Sequence, residues 1–470
     1  MSYIEFKNLN FSYEGFREEA LKNFNFEINK GEFVVLIGKS GCGKSTVTRL
    51  LNGTIPSFFK GKLSGEVVID GENVRNIKNY EMANKVGSVF QNPRTQFFNI
   101  DTDSELAFGL ENRGEDADRI NERIDEVTAM LKLEALRNRD IFELSGGEKQ
   151  KIAFASIYAM SPDIYVLDEP SSNLDEGGIE DLRKNLSLVK KEGKTVVVAE
   201  HRLYYLMDLA DRFVFTEEGT VKAIYTADEL RIKKDSELDE MGLRSAEYVY
   251  LKEEPLEFNS NEDAKDTEGL SLVNLTTLRS KRVISSNINL NMKPGKIYGI
   301  MGPNGIGKTT LLRCIAGLHK EYKGEILVDG KSMKSADMRK RSYLVMQDVN
   351  YQLFGESVES ECRLGLRNVT DSSVKDALEK TGLETFAARH PNTLSGGQKQ
   401  RLSVAVSMVS NRDIITFDEP TSGLDRCNMK RIVTIMKELA AARKYLIVVS
   451  HDNEFLNSCC DILIQLQGHS

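Results

Sequence analysis

No stretch of this sequence is long and apolar enough to cross a membrane. The longest apolar runs, such as Val196-Val197-Val198-Ala199, have the length of a strand, well short of the roughly 18 residues that a span requires. The N-terminal Met1-Ser2-Tyr3-Ile4-Glu5-Phe6 alternates like a strand and lacks a signal-peptide core. The chain is therefore expected in the cytoplasm, serving a membrane only from its surface. Cysteine motifs are absent too. Cys42, Cys314, Cys362, Cys427, Cys459 and Cys460 form no C-x-x-C pair and no Cys/His grouping with zinc spacing. They read as reduced thiols, and Cys42 as a small tolerated side chain. Excess positive charge is missing: the net charge is −8, which argues against a nucleic-acid partner. What remains, 29% charged and 40% hydrophobic residues, describes a soluble globular protein. A length of 470 residues exceeds one ordinary core and fits two domains.

The stretch Gly38-Lys39-Ser40-Gly41-Cys42-Gly43-Lys44-Ser45-Thr46 follows the apolar run Phe33-Val34-Val35-Leu36-Ile37 and precedes Val47-Thr48-Arg49-Leu50-Leu51. Strand, glycine-rich turn and helix with the spacing G-x-x-x-x-G-K-[ST] make a phosphate-binding P-loop. Its backbone N–H groups can close around a triphosphate, helped by the positive end of the helix dipole. Lys44 can reach the β- and γ-phosphates, and Ser45 can hold Mg²⁺. The motif returns as Gly302-Pro303-Asn304-Gly305-Ile306-Gly307-Lys308-Thr309, after Ile297-Tyr298-Gly299-Ile300-Met301 and before Leu311-Leu312-Arg313-Cys314. Two P-loops predict a duplicated nucleotide-binding domain.

Other elements recur in the same order. Alternating runs over residues 1–30 predict an antiparallel strand pair, in which Tyr13 could stack on adenine or simply pack. A breaker-rich loop, Ile55-Pro56-Ser57-Phe58-Phe59-Lys60-Gly61-Lys62-Leu63-Ser64-Gly65, leads to the strand and turn Glu66-Val67-Val68-Ile69-Asp70-Gly71. Val86-Gly87-Ser88-Val89-Phe90-Gln91 predicts a strand ending at a glutamine. A helical stretch is expected from about Asp103 to Arg137, with Ile120, Ile124, Val127, Met130 and Leu131 as a packing stripe. Ser145-Gly146-Gly147 opens a helix and offers a second anion site. Ile164-Tyr165-Val166-Leu167 delivers Asp168 and Glu169 at a strand end. There Asp168 can anchor Mg²⁺ through water, and Glu169 can orient or deprotonate an attacking water. Thr195-Val196-Val197-Val198-Ala199 ends in Glu200-His201, and His201 can contact a γ-phosphate.

The second half repeats this as Gln347, Ser395-Gly396-Gly397, Asp418-Glu419-Pro420 and Ser450-His451. Lys44 and Lys308 are 264 positions apart, Gln91 and Gln347 are 256, and Ser145/Ser395, Asp168/Asp418 and His201/His451 are each 250. The sheet thus keeps its spacing, while outer loops and the helical segment vary. The expected division is 1–226 for the first domain, 227–268 for a connecting segment and 269–470 for the second domain. The acidic residues 253–268 read as an extended linker.

Taken together, the series resembles the ABC-type ATPases over nearly the whole chain outside the linker. The resemblance implies an α/β fold: two P-loop domains, each with a mixed or parallel sheet core, an antiparallel β subdomain and a helical signature subdomain. It implies ATP and Mg²⁺ as cofactors, and two halves facing head to tail within one chain. One site would combine Tyr13, Gly38, Ser40, Gly41, Gly43, Lys44, Ser45, Thr46, Gln91, Asp168, Glu169 and His201 with Ser395, Gly396 and Gly397. The other would combine Gly302, Asn304, Gly305, Gly307, Lys308, Thr309, Thr310, Gln347, Asp418, Glu419 and His451 with Ser145, Gly146 and Gly147. In such sites Ser45, Gln91 and Asp168, or Thr309, Gln347 and Asp418, serve the metal; Glu169, His201, Glu419 and His451 serve hydrolysis. Both sites are therefore expected to hydrolyse ATP. Arg279 stands opposite Tyr13, so the second site is expected to bind nucleotide more weakly, although a guanidinium can also stack.

Within the family the chain is most similar to the tandem ATPase of energy-coupling factor transporters, which import vitamins, their precursors or metal ions. The similarity lies in Phe90-Gln91-Asn92-Pro93-Arg94-Thr95-Gln96-Phe97-Phe98, in Met346-Gln347-Asp348-Val349-Asn350-Tyr351-Gln352-Leu353-Phe354, and in the Ile55–Phe59 loop. It implies peripheral attachment to the cytoplasmic face of the membrane. The implied partners are an integral membrane scaffold, whose coupling helices meet the glutamine-loop region, and a small membrane substrate-capture protein. The alternatives are the ATPase of another ABC importer or exporter, or a twin ABC protein acting on ribosomes. The short acidic linker disfavours the last.

Overall fold

The structure is a computed structural model and describes residues 2–16, 18–257, 268–366 and 368–466. Most of the acidic stretch read as a linker lies outside the described residues. The chain divides into two compact units, Met1–Tyr248 and Val249–Ser470.

In the first unit the strands are β1 (Ser2–Tyr13), β2 (Leu21–Asn29), β3 (Phe33–Ile37), β4 (Gly61–Ile69), β5 (Glu72–Asn73), β6 (Val86–Val89), β7 (Ile164–Asp168), β8 (Thr195–Ala199), β9 (Arg212–Glu217) and β10 (Thr220–Tyr225). They form an antiparallel sheet of order β2-β1-β4-β5 and a six-stranded sheet of order β10-β9-β3-β8-β7-β6. In the larger sheet five strands run parallel, and β10 closes one edge as an antiparallel hairpin with β9. The strands β3, β7 and β8 are apolar apart from Asp168 and Thr195 at the ends of the last two, because both faces of the sheet are covered. Phe33, Val35 and Ile37 point to one side, into a core shared with Leu106, Phe154 and Leu186. Val34 and Leu36 point to the other, packing with Phe6, Phe24 and the helix residues Val47 and Leu50. The strand that feeds the first P-loop is thus held from both sides.

The second unit has β11 (Leu256–Glu257), β12 (Leu270–Arg279), β13 (Arg282–Met292), β14 (Ile297–Met301), β15 (Tyr322–Val328), β16 (Lys331–Ser332), β17 (Ser342–Val345), β18 (Ile414–Asp418), β19 (Tyr445–Val449) and β20 (Ile462–Gln465). Its antiparallel sheet has the order β13-β12-β15-β16, matching the first unit. Its larger sheet, β11-β20-β14-β19-β18-β17, is parallel throughout. The edge that a hairpin covers in the first unit is covered here by Leu256 and Glu257, from the stretch read as linker. Two residues suffice to pair an edge strand and give it a backbone partner.

The stretch expected to be helical is helical, in separate pieces. It breaks into Thr102–Asn112 and Ala117–Leu131, separated at Gly114 with φ 73°, and ends in the short turn Glu134–Leu136. Ile120, Ile124, Val127 and Leu131 are buried, but Met130 is 51% exposed. One residue before Leu131, Met130 lies roughly 100° around the helix from it and falls off the stripe. The second unit carries shorter helices here, Val358–Glu361 and Asp371–Thr381, which accounts for its closer spacing between glutamine and signature. No helix among the described residues is long and apolar enough to cross a membrane.

Candidate nucleotide-binding sites

Each P-loop joins the middle strand of its sheet to a helix, Lys44–Leu51 in the first unit and Lys308–Ile315 in the second. Gly38 stands at φ 144°, and a Cβ there would lie 2.2 Å from the Thr216 carbonyl oxygen. Only glycine lets the loop leave the sheet at this point. The loop curls so that Lys44 Nζ donates to the carbonyls of Gly38 (2.8 Å) and Lys39 (3.1 Å). Lys308 Nζ does the same to Gly302 (2.6 Å) and Pro303 (2.9 Å). Cys42 is buried inside the loop with its Sγ 2.9 Å from Thr216 Oγ1, a packing role.

The strand ends bring the remaining groups to the loop. Ser45 Oγ donates to Asp168 Oδ1 at 3.0 Å, and Thr309 bonds Asp418 in the same way. Burial pushes both carboxyls above their ordinary range, opposed by the Ser45 or Thr309 bond and nearby cations. A hydroxyl and a carboxylate, hard oxygen donors at a desolvated point, suit Mg²⁺.

Next to them, Glu169 and Glu419 have φ values of 46° and 50°, a left-handed backbone that costs a non-glycine residue about 1 kcal/mol or more. Each is held there by its own N–H, donating to Ala199 (2.8 Å) or Val449 (2.9 Å) on the neighbouring strand. Gln91 Nε2 donates to Glu169 Oε2 at 2.6 Å. His201 Nε2 lies 3.6 Å from Glu169 Oε1, and His451 Nε2 lies 3.8 Å from Glu419 Oε1. Burial, followed by the charges of Lys44 and Arg244, holds the His201 pKa well below 6.5, so its ring is neutral at pH 7. His451 Nε2 also sits 3.1 Å from Asn304 Oδ1. The first unit therefore gathers Lys44, Ser45, Gln91, Asp168, Glu169 and His201, and the second Lys308, Thr309, Asp418, Glu419, His451 and Asn304. Gln347 follows β17 at the same place that Gln91 follows β6.

Ser145 and Ser395 cap the helices Gly146–Met160 and Gly396–Val409 through capping boxes with Glu148 and Gln398. The first-turn N–H groups of Gly146, Gly147, Gly396 and Gly397 point off the helix ends. Among the described residues no hydrogen bond links Ser145, Gly146 or Gly147 to the P-loop of their own unit.

Tyr13 flanks a cleft of about 750 Å³ shared with Phe16, Pro56, Lys60 and Lys62. Its hydroxyl lies 3.1 Å from Thr46 Oγ1 and accepts from Arg49 Nη1 at 2.9 Å, which fixes the ring. Sequence reasoning did not single out Phe16 or the two lysines; the signal was an aromatic three residues past Tyr13. The strand registers of the two units run alike up to two residues before Tyr13 and Arg279. Asn10 opposes Ser64 as Thr276 opposes Lys323, and each is three residues before the position in question. Arg279 is exposed, facing Arg282 across the hairpin.

The glutamine loops hold a further feature. The second glutamines are braces: Gln96 Oε1 accepts from Phe90 N (3.2 Å), and Gln352 Oε1 accepts from Met346 N (3.1 Å). The buried carboxylates Glu105 and Glu361 then bind the backbone of the next turn. Glu105 accepts from Phe98 N and Asn99 N at 3.0 and 2.9 Å, and Glu361 from Phe354 N and Gly355 N at 2.7 and 2.5 Å. Phe98 and Phe354 are left 76% and 74% exposed.

Two such phosphate-binding units, each with a Mg²⁺-suited carboxylate and a glutamate–histidine pair, define a tandem nucleotide-hydrolysing protein. Residues 21–172 and 285–422 match the ABC transporter family, and the chain belongs to it. A protein of Treponema denticola, provisionally named as an ABC transporter ATP-binding protein, is 45% identical over 473 residues, 99% of this chain and 95% of its own. The Bacillus subtilis protein provisionally named HMP/thiamine import ATP-binding protein YkoD is 30% identical, over 98% of this chain and 89% of its own. Among solved structures, the archaeal ribosome recycling factor aABCE1, in complex with the ribosomal stalk protein aP1, superposes with a TM-score of 0.61 at 22% identity, covering 95% of this chain and 86% of its own. At that identity the likeness speaks for the fold alone. The chain is thus the ATP-binding component of an ABC transporter and an ATPase.

Proposed function

We propose that the chain energises a membrane importer of the energy-coupling factor type, for a vitamin, vitamin precursor or metal ion, from the cytoplasmic face. The observation that carries this reading is the matched pair Phe98 and Phe354. In each unit a braced glutamine loop and a buried glutamate hold one phenylalanine out to solvent. Two exposed aromatics at equivalent positions suit two coupling helices of one membrane scaffold. The import function named for the YkoD relative points the same way.

In the proposed cycle Lys44 and Lys308 bind the β- and γ-phosphates. Tyr13 stacks the base at the first site, and the Ser145-Gly146-Gly147 and Ser395-Gly396-Gly397 turns offer N–H groups to the nucleotide held by the other unit. Mg²⁺ at Ser45, Gln91 and Asp168, or Thr309, Gln347 and Asp418, would neutralise phosphate charge. Glu169 and Glu419 orient the attacking water and take up its proton, while His201 and His451, neutral in the first case, bond the γ-phosphate. Closure on ATP and reopening after hydrolysis pass motion to the membrane partners.

The test is an affinity pull-down of the chain from detergent-solubilised native membranes. Recovery of one integral scaffold with small membrane proteins is expected. Recovery of ribosomes, or of no membrane-embedded protein, would refute the importer reading.

A further inference from the structure

The residue after strand β8 is Glu200, a carboxylate only 2% exposed that the hydrolytic scheme above does not use. Its Oε1 accepts from the backbone N–H of His201 (2.7 Å) and Arg202 (3.1 Å). Its Oε2 accepts from Tyr205 Oη (2.8 Å) and from the N–H of Ser171 (3.3 Å). Ser171 lies two residues past Glu169. One side chain therefore fastens the turn that carries His201 to the turn that carries Glu169.

The second unit solves the same problem with different residues. Position 450, its counterpart, is a serine whose Oγ donates to Glu419 Oε2 at 3.2 Å and accepts from Asp452 N at 3.2 Å. The turns are tied by Thr421 Oγ1 donating to Asp452 Oδ2 at 3.2 Å. Asp452 and Thr421 are the counterparts of Arg202 and Ser171 at the 250-residue offset. The buried carboxylate has moved from the residue before the histidine to the residue after it. Tyr205, which supplies Glu200 with its hydroxyl donor, is matched by Phe455, whose N–H goes to Asp452 Oδ1 at 3.1 Å.

We propose that Glu200 is a positioning residue for ATP hydrolysis in the first unit. By locking both turns to one carboxylate it sets the approach of His201 to Glu169, a task that Asp452, Thr421 and Ser450 share in the second unit. The two sites are then wired differently although their reacting groups are the same. A serine at position 200 could still accept from the Arg202 N–H, as Ser450 does from Asp452, but would leave the His201 and Ser171 N–H groups and the Tyr205 hydroxyl without their acceptor and would free the two turns to move separately. A hydrolytic geometry loosened by a fraction of an ångström loses rate before it loses binding.

This inference rests on Glu169 and His201 being the hydrolytic pair. It is tested on the full chain carrying Glu419→Gln, which silences the second unit's glutamate, by steady-state ATP hydrolysis with ATP affinity measured alongside. Glu200→Ser is expected to lower kcat at least tenfold with the ATP Kd unchanged within twofold. The triple change Glu200→Ser, Arg202→Asp, Ser171→Thr rebuilds the second unit's arrangement and is expected to restore kcat to within threefold. An unchanged kcat in Glu200→Ser would overturn the proposal. So would a loss of kcat accompanied by loss of ATP binding that the triple change does not repair, because that marks a purely structural residue. Glu169→Gln in the same background keeps the two ideas apart: hydrolysis surviving that change would sink the reading of the site itself.

Discussion

Glu169 and Glu419 stand at left-handed backbone positions, each beside a histidine, buried in the case of His201 and half-buried in that of His451, and their proposed task sets the most direct prediction. Glu169→Gln and Glu419→Gln keep the shape but lose the base. Each is expected to cut hydrolysis at its site at least a hundredfold, the usual worth of a general base, while ATP binding persists. Filter binding beside phosphate release measures both. Tyr13 and Arg279 set the second prediction. Tyr13 is clamped by Thr46 and Arg49 at the edge of a formed cleft, whereas Arg279 projects from an exposed hairpin end. Lys308→Ala, which leaves the first site intact, is expected to retain tighter ATP binding than Lys44→Ala. Equal affinities by titration calorimetry would remove the asymmetry. These residues were legible because P-loop, carboxylate and histidine chemistry demands particular side chains at particular spacings. Glu200 was visible as a letter but silent as a function, because its four partners come together only through folding.

At the scale of elements, the glutamine loops show how a short motif depends on distant support. Gln96 and Gln352 were read as marks of a subgroup; the structure makes them hydrogen-bonding braces. Their effect is completed by Glu105 and Glu361, from helices further along the chain. Glu105→Ala or Glu361→Ala removes the acceptor of two backbone N–H groups, at about 1–3 kcal/mol. Amide exchange at Phe98 and Asn99, or at Phe354 and Gly355, is expected to rise about tenfold or more, with little change elsewhere. Phe98→Asp combined with Phe354→Asp is expected to abolish transport in reconstituted membranes while leaving the ATPase of the chain alone within twofold, a split that transport and phosphate-release assays resolve. Periodicity misled at one element. It gave residues 103–137 as a helical stretch, which they are, in pieces divided at Gly114, but it placed Met130 in the packing stripe, where the structure leaves it exposed.

At the scale of the whole molecule, the proposed cycle has each unit act on the nucleotide of the other, and joining both on one chain would raise the effective concentration of each for the other. Cutting the chain at a protease site engineered into residues 258–267 is expected to make ATP hydrolysis fall on dilution, where the intact chain shows none; rates across a hundredfold dilution series measure it. The duplication, the order of the motifs and the 250-residue offset from the Ser-Gly-Gly turn onward were determined by the sequence alone, since the carboxylates and histidines sit at the ends of strands whose apolar runs mark them. The tertiary structure decided what the edge of each sheet pairs with, a hairpin in one unit and Leu256–Glu257 in the other. It also decided which aromatics stay in solvent and how each glutamate–histidine pair is held. Those outcomes depend on contacts between residues far apart in the chain, and spacing along a sequence records only the near ones.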